Sequence, residues 1–555
     1  MAWWQGTSIY QVYPRSFADA NSDGIGDLAG IIERLDYIAE LGVETLWVSP
    51  FFASPQRDFG YDITDYESIA PEYGTLADAE RLIGETHRRG MKIMFDLVLN
   101  HTSDQHPWFL WSKASRDNPK SDWYIWSDGR GRRGRRRPNN WRSDLEVKSA
   151  WQWCPERAQW YLATFLPFQP DLNWRNPEVR DAMFNVVRFW LGRGVDGFRL
   201  DIFGQIMKDP GLRNNPIQPN TETSFPRLWR RKYNENTADN IRLAKDLRAV
   251  CQEFSDPDRI LLGEVFGPAA VLRSYLGNPS RSGNSGGSST AGLNLVFLFE
   301  FLQYSYDAEW FRSTIARFEE AFPAPMQPTY VLENHDRSRS IDRVGGDVAK
   351  AKVMAVLLLT LRGVPAIYYG QELGMANTPI PIRDALDPVV KTFFRWVPDA
   401  VARRLPERIN RDEMRTPMQW TGGPNAGFCP EGVRPWLPAN PDHATVNAES
   451  QAGDPDSMLS LYRRLLTLRR EESAIHRGTL RLLEGLPDGT VGFVREGDGA
   501  AGPVVTVLAN MGQAEVTVAG RFGQELVSCG IVDRAADAVR LAPDSAVVLL
   551  KQPAD

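Results

Sequence analysis

GFRLD (residues 197–201), LLGEV (residues 261–265) and ENHD (residues 333–336) each place an acidic side chain at the close of a short apolar run, and DLVLNH (residues 96–101) is a fourth stretch of this kind. One such acid could be a surface charge. Several in one chain of 555 residues suggest strand ends that gather carboxylates at a single mouth. Carboxylates held together without a metal motif point first to sugar chemistry, in which one acts as nucleophile and another as acid/base.

Outward from these segments, short β-rich runs alternate with helical patterns. Candidate strands are SIYQVYP from Ser8, VETLWVSP from Val43, KIMFDLVLN from Lys92, VDGFRLD from Val195, RILLGEV from Arg259, LNLVFLF from Leu293, TYVLENHD from Thr329 and PAIYYGQE from Pro365. Amphipathic stretches such as residues 28–41 and 179–194 lie between them. The pattern predicts an α/β chain built on a (β/α)8 TIM barrel, with its active site at the C-terminal strand ends. Asp96, Asp201, Glu264 and Asp336 all lie at such ends. The stretch from His101 to Trp174 is too long for a plain loop and predicts an inserted subdomain after strand 3. After Arg477 the runs GTVGFVRE, PVVTVLANM, AEVTVAG and AVVLLKQ follow one another without helices, which predicts a C-terminal antiparallel β domain. The expected division is a barrel of residues 1–101 and 175–476, an insert of residues 102–174 and a β-sandwich of residues 477–555. The Gly/Ser-rich residues 278–292 read as a mobile loop within the barrel domain.

Composition narrows the function. Net charge is 64 − 70 = −6, so no global basic field suggests nucleic acid. The many aromatics can stack on sugar faces as well as fill a core. Cys154, Cys251, Cys429 and Cys529 are far apart and form no CxxC pair, as expected of unpaired thiols in a reducing compartment. The start has no basic segment followed by an apolar one, and the longest apolar run, residues 353–361, is well short of the ~20 residues of a membrane span. A soluble cytoplasmic protein is expected, monomer or homodimer, with no membrane or nucleic-acid partner.

DLVLNH, GFRLD, GEV and ENHD, with QPDLNW (residues 169–174) and RTPMQW (residues 415–420), resemble glycoside hydrolase family 13, the α-amylase family, in its order across about three quarters of the chain. The resemblance is strongest to cytoplasmic exo-acting α-glucosidase and oligo-1,6-glucosidase members. It implies Asp201 as nucleophile, Glu264 as general acid/base and Asp336 as transition-state stabiliser. It further implies that Asp336 and His335 bind the 2- and 3-hydroxyls and that His101 holds the 6-hydroxyl. Arg199 shares a strand face with Asp201 by the period of two, and its charge is expected to keep Asp201 ionised. Glu264 has no basic neighbour in sequence and is expected to stay protonated.

DFGYD (residues 58–62) resembles the exo-glucosidase pattern, in which Asp58 and Tyr61 line the subsite of the non-reducing glucose. Arg411, rather than Arg415, is the expected partner of Asp58, closing the pocket to all but chain ends. The loop DANSDGIGD (residues 19–27) has oxygen ligands at alternate positions. The resemblance implies that Asp19, Asn21, Asp23, Asp27 and the carbonyl of Ile25 hold one structural Ca2+ or Mg2+. No organic cofactor is implied.

Three features depart from the family pattern. Ile202 follows the expected nucleophile, where a Val tends to accompany α-1,6 and a Thr α-1,4 specificity. Leu145 stands about where an aromatic is expected. The run GRGRRGRRRP (residues 129–138) is a solvated loop or, in a sharper reading, a site for a phosphorylated disaccharide. The sequence therefore predicts an exo-acting retaining α-glucosidase on short oligosaccharides or α-glucosides. One alternative is a transglucosylase or isomerase that uses the same intermediate. The other, a non-catalytic transporter-associated relative, is disfavoured by the three retained carboxylates.

Overall fold

The computed structural model describes residues 2–144, 148–220, 227–254, 256–277, 291–402, 409–497, 499 and 502–551, without the side chains of residues 219, 220 and 227–229. Two features singled out in the sequence, Leu145 and most of the Gly/Ser-rich stretch, lie outside the described residues.

Eight parallel strands close into a barrel: β1 (Ile9–Val12), β2 (Thr45–Val48), β3 (Lys92–Leu97), β4 (Gly197–Leu200), β5 (Ile260–Gly263), β6 (Leu295–Leu298), β7 (Thr329–Val331) and β8 (Val364–Tyr368). Each predicted strand supplies one of them, and each pairs with its neighbours in chain order. Ile9, Trp47, Met94, Ile260, Leu262, Leu295, Phe297, Val331, Val364 and Ala366 fill the interior, so the barrel is a packed core. β4 and β5 approach closely at Gly197, where a Cβ would lie 2.4 Å from the carbonyl oxygen of Ile260.

The outer helices follow their sequence signals. Helix Leu76–Arg88 opens on a capping box between Thr75 and Asp78. Helix Pro177–Gly192 starts with Pro at its first position and buries Val179, Met183, Val186, Val187, Trp190 and Leu191 on one stripe. Helix Val348–Thr360 is apolar almost all round because it lies between the barrel and the C-terminal domain, against helix Met458–Glu471 and strand Ser545–Lys551.

Among the described residues, three long excursions rise above the C-terminal mouth, besides the short antiparallel pair Phe52–Ala53 and Asp65–Ile69 that follows β2. The first, after β3, carries a three-stranded sheet of Trp126–Ser127, Gln159–Leu162 and Trp151–Cys154. The second follows β4 and includes the antiparallel pair Ile217–Asn220 and Arg227–Trp229, which the sequence reading did not separate from the barrel. It supports the first, since Asn139 and Trp141 donate to the carbonyls of Leu212 and Arg213 at 3.0 and 2.9 Å. The third follows β8, and its Phe393 packs on Leu166 and Phe168 of the first.

The chain closes in a five-stranded antiparallel sheet (Thr479–Leu482, Thr490–Glu496, Val504–Asn510, Ser545–Lys551, Gln524–Cys529) and a three-stranded one (Val516–Ala519, Ala538–Leu541, Val532–Ala535). All four cysteines are free and buried. Among the described residues, no helix is long and apolar enough to cross a membrane.

Candidate active site

Asp201 follows the last residue of β4, and Glu264 follows the last residue of β5. The parallel register pairs Gly263 with Leu200, so the two carboxylates emerge side by side. On the other flank, Asp96 of β3 is register-paired with Arg199 of β4. Arg199 is buried among all three acids. Its Nη1 donates to Asp201 Oδ1 at 2.8 Å and to Asp96 Oδ1 at 2.9 Å, and its Nη2 donates to Glu264 Oε2.

This arrangement corrects two expectations. Glu264 does have a basic partner, which comes from the neighbouring strand and is therefore invisible in local sequence. Arg199, in turn, is shared among three acids and does not outweigh the burial of Asp201, contrary to the expectation that its charge keeps that carboxylate ionised. Burial pushes Asp201 well above the usual carboxylate range; Arg199 opposes that, and Glu264, Asp96 and Asp336 add to it. Burial also pushes Asp96 up to about 6 against the pull of Arg199. One guanidinium thus serves three buried acids, a deficit of positive charge that favours a cation at the reaction centre.

The turn after Asp201 is strained. Ile202 has φ 38° and ψ 40°, a left-handed conformation that costs a β-branched residue about 1–3 kcal/mol. It aims the Ile202 N–H at Glu264 Oε2, 3.1 Å away, linking the two acids through backbone.

Asp336 lies beyond β7 and keeps a third of its side chain exposed. Its Oδ1 accepts from Arg415 Nη2 at 2.7 Å and from Arg411 Nη1 at 3.2 Å. Burial alone would raise it, but His335, Arg411 and Arg415 hold it well below the usual carboxylate range. His335 is buried and pushed down to about 3, so it is neutral. The Gln11 amide donates to its Nδ1 at 2.8 Å, which leaves the ring proton on Nε2, 2.6 Å from Tyr61 Oη and 3.3 Å from Asp336 Oδ2. Tyr61 stacks on the His335 ring and donates to Asp96 at 3.4 Å.

His101 is buried and pushed down to about 4. Its Nε2 donates to the Tyr61 carbonyl at 3.1 Å and its Nδ1 faces the Asn100 amide at 3.2 Å, so both ring nitrogens have protein partners.

Asp58 and Arg411, 353 residues apart, pair at 3.0 Å. Gly60, with φ 102°, packs where a Cβ would meet the Pro50 carbonyl at 2.7 Å, and this turn delivers Asp58 and Tyr61 together. Gln169 donates to the other Asp58 oxygen at 2.9 Å. Burial pushes Asp58 up, and Arg411 opposes it.

The sequence reading passed over Gln169 and Gln11, the contact of Arg415 with Asp336, and Asp387, which grips Arg411. Gln169 and Arg415 lie inside quoted motifs and were within reach. Gln11 and Asp387 carry no local signal.

In the loop of residues 19–27 the carboxylates bond backbone amides. Asp19 accepts from Ser22 at 2.7 Å and Gly24 at 2.8 Å, Asp23 from Ile25 at 2.8 Å, and Asp27 from Gly30 at 2.6 Å, capping helix Leu28–Glu33. The donor set is all oxygen, the chemistry of a hard divalent cation. Among the described residues, no three acidic, His or Cys side chains converge to chelate one, so a cation would have to draw Asn21 and the Ile25 carbonyl into its shell. The arginine run forms an exposed turn closed by backbone bonds between Arg130 and Arg136.

The family model described as "Alpha amylase, catalytic domain" matches residues 11–478. The chain belongs to the α-amylase family. Among curated members of that family, a probable alpha-glucosidase of Rhizobium meliloti is 40% identical over 509 residues, 89% of this chain and 87% of the relative. The oligo-1,6-glucosidase of Parageobacillus thermoglucosidasius is 37% identical over 87% of this α-amylase family chain and 86% of its own. Among solved structures, the alpha-glucosyl transfer enzyme XgtA superposes with a TM-score of 0.87 at 36% identity over the whole of both chains. The trehalulose synthase MutB of Pseudomonas mesoacidophila MX-45 gives 0.87 at 33% identity over 99% of each.

Proposed function

We propose that this chain is an exo-acting, retaining α-glucosidase that releases terminal glucose from short oligosaccharides or α-glucosides. The observation that carries the reading is the placement of Asp201 and Glu264 at the two ends of one guanidinium, together with the Asp58–Arg411 pair that also reaches Asp336. A retaining double displacement needs its two carboxyl groups ~5–5.5 Å apart, closer than the ~6.5–9.5 Å of an inverting pair, and acids sharing one guanidinium on adjacent strands support the closer arrangement.

Asp201 attacks the anomeric carbon while Glu264 protonates the leaving oxygen, giving a glucosyl-Asp201 ester. Glu264, now ionised, takes a proton from water, which attacks the same carbon and restores Asp201. Asp336, kept ionised by Arg411 and Arg415, binds ring hydroxyls as charge develops, with the Nε2–H of neutral His335 beside it. Asp58 and Arg411 bind the far end of the glucose, so only chain ends fit.

Asp201→Asn is the test. It should cut turnover by at least about 10^4-fold while leaving the melting temperature near that of wild type, and NMR of the wild-type reaction should show α-glucose released first. Release of β-glucose, or an active Asn variant, would end the reading.

The whole-chain likeness to XgtA and MutB favours a second outcome for the same intermediate, capture by a sugar hydroxyl instead of water. Product analysis at high substrate concentration separates the two. The loop of residues 19–27 is proposed to hold one structural Ca2+ or Mg2+ through Asp19, Asn21, Asp23, Asp27 and the Ile25 carbonyl, supported by its donor chemistry.

A further inference from the structure

Asp387 lies in the excursion after β8 and is wholly buried. Its two oxygens take the Nε and Nη2 of Arg411 at 3.0 and 2.8 Å, a bidentate fork. The same carboxylate accepts the backbone N–H of Arg411 at 3.0 Å and that of Val389 at 2.9 Å. Its own N–H is held by Asp412 at 3.0 Å. With Nε and one side of Nη2 consumed, Arg411 has only the remaining Nη hydrogens to offer. One reaches Asp58 at 3.0 Å and another Asp336 at 3.2 Å.

We infer that Asp387 is a positioning residue for the closed end of the pocket: it fixes which N–H groups of Arg411 face Asp58 and Asp336. Without that grip, Arg411 sits between two acids with nothing to stop it rotating to fork one of them. A fork on Asp58 would free Asp336, and a fork on Asp336 would compete with the sugar for that carboxylate. Either way the terminal glucose loses a prearranged partner, and the loss falls on binding before chemistry. Asp387 touches no substrate and acts only through the arginine. The inference rests on the exo-acting reading above.

The test is a double-mutant cycle on hydrolysis of p-nitrophenyl α-glucoside, with Asp387→Asn, Asp58→Ala and the pair, each variant also melted. Asp387→Asn should raise KM more than it lowers kcat and cost about 100-fold in kcat/KM. The double variant should lose clearly less than the product of the two single losses, because both changes act through one arginine. Losses that multiply in the double variant, or a wild-type KM in Asp387→Asn, overturn the inference. Should Asp387→Asn fail to fold, Asp387→Glu keeps the charge and moves it by one methylene; a raised KM at near-normal melting temperature supports the role, and a wild-type KM overturns it. Failure of the underlying reading shows separately, as wild-type protein that releases no glucose from any α-glucoside and so defeats both.

Discussion

The buried histidines here are set by burial more than by charge. His101, His106 and His335 are all held neutral by the cost of burying a cation, the last two down to about 3. His106 makes the consequence measurable. It caps helix Pro107–Ala114, its Nδ1 accepting the N–H of Trp108 at 3.1 Å. Its folded value lies below the ~6.5 of an unfolded histidine, so between those values the unfolded chain binds more protons. Stability from this residue is therefore full above pH ~6.5 and drains as pH falls, by up to about 2 kcal/mol at pH 5. His106→Asn keeps a cap and cannot titrate. Its melting temperature relative to wild type should rise between pH 7 and pH 5; a constant difference would show that the histidine is not buried neutral.

Elements place what residues cannot place alone. Strand β4 delivers Arg199 and Asp201 to one side, but only the register with β3 and β5 brings Asp96 and Glu264 around the same guanidinium. The loop of residues 19–27 is a second such element, with Asp27 capping helix Leu28–Glu33 and Gly24 turning the chain at φ 88°. If the proposed site is real, added Ca2+ should raise the melting temperature of EDTA-treated protein. Saturation at 100-fold over the dissociation constant is worth about 2.7 kcal/mol. Metal analysis that finds no bound cation, with melting unmoved by Ca2+ or Mg2+, would leave the loop as a hydrogen-bonded turn.

At the scale of the molecule, buried arginines join the barrel to what lies beneath it. Arg469, on helix Met458–Glu471, donates to the carbonyls of Gly6, Leu359 and Leu361 at 3.2, 3.0 and 3.1 Å, and to that of Gly363. Arg495, from the C-terminal sheet, does the same for Thr360, Gly478 and Thr479. Arg469→Met would orphan buried carbonyls far from the mouth. It should cost about 3–5 kcal/mol, read as a lower denaturant midpoint, while kcat in buffer stays as in wild type. An unchanged midpoint would mean that these carbonyls find other partners. Much of this architecture was legible in the chain, because strands bounded by apolar runs and ending in acids are a local signal. The excursion after β4 was not, since its hairpin lacks an alternating apolar pattern. The grip of Asp387 on Arg411 was not either, because nothing near Asp387 in sequence hints at an arginine 24 residues on. Nor was the left-handed turn at Ile202, a conformation that local preference argues against and only its surroundings impose.

Sequence by itself determined the barrel through its periodicity, and the four acids at its mouth and the expected pairing of Asp58 with Arg411 through their resemblance to ordered family motifs. Tertiary structure alone decided how the other cations are shared among the acids. Arg199 is shared by Asp96, Asp201 and Glu264, while Asp336 draws on Arg411 and Arg415. Electrostatic partnership depends on distance and burial in space, and neighbouring strands of a closed barrel bring together charges that the chain keeps far apart.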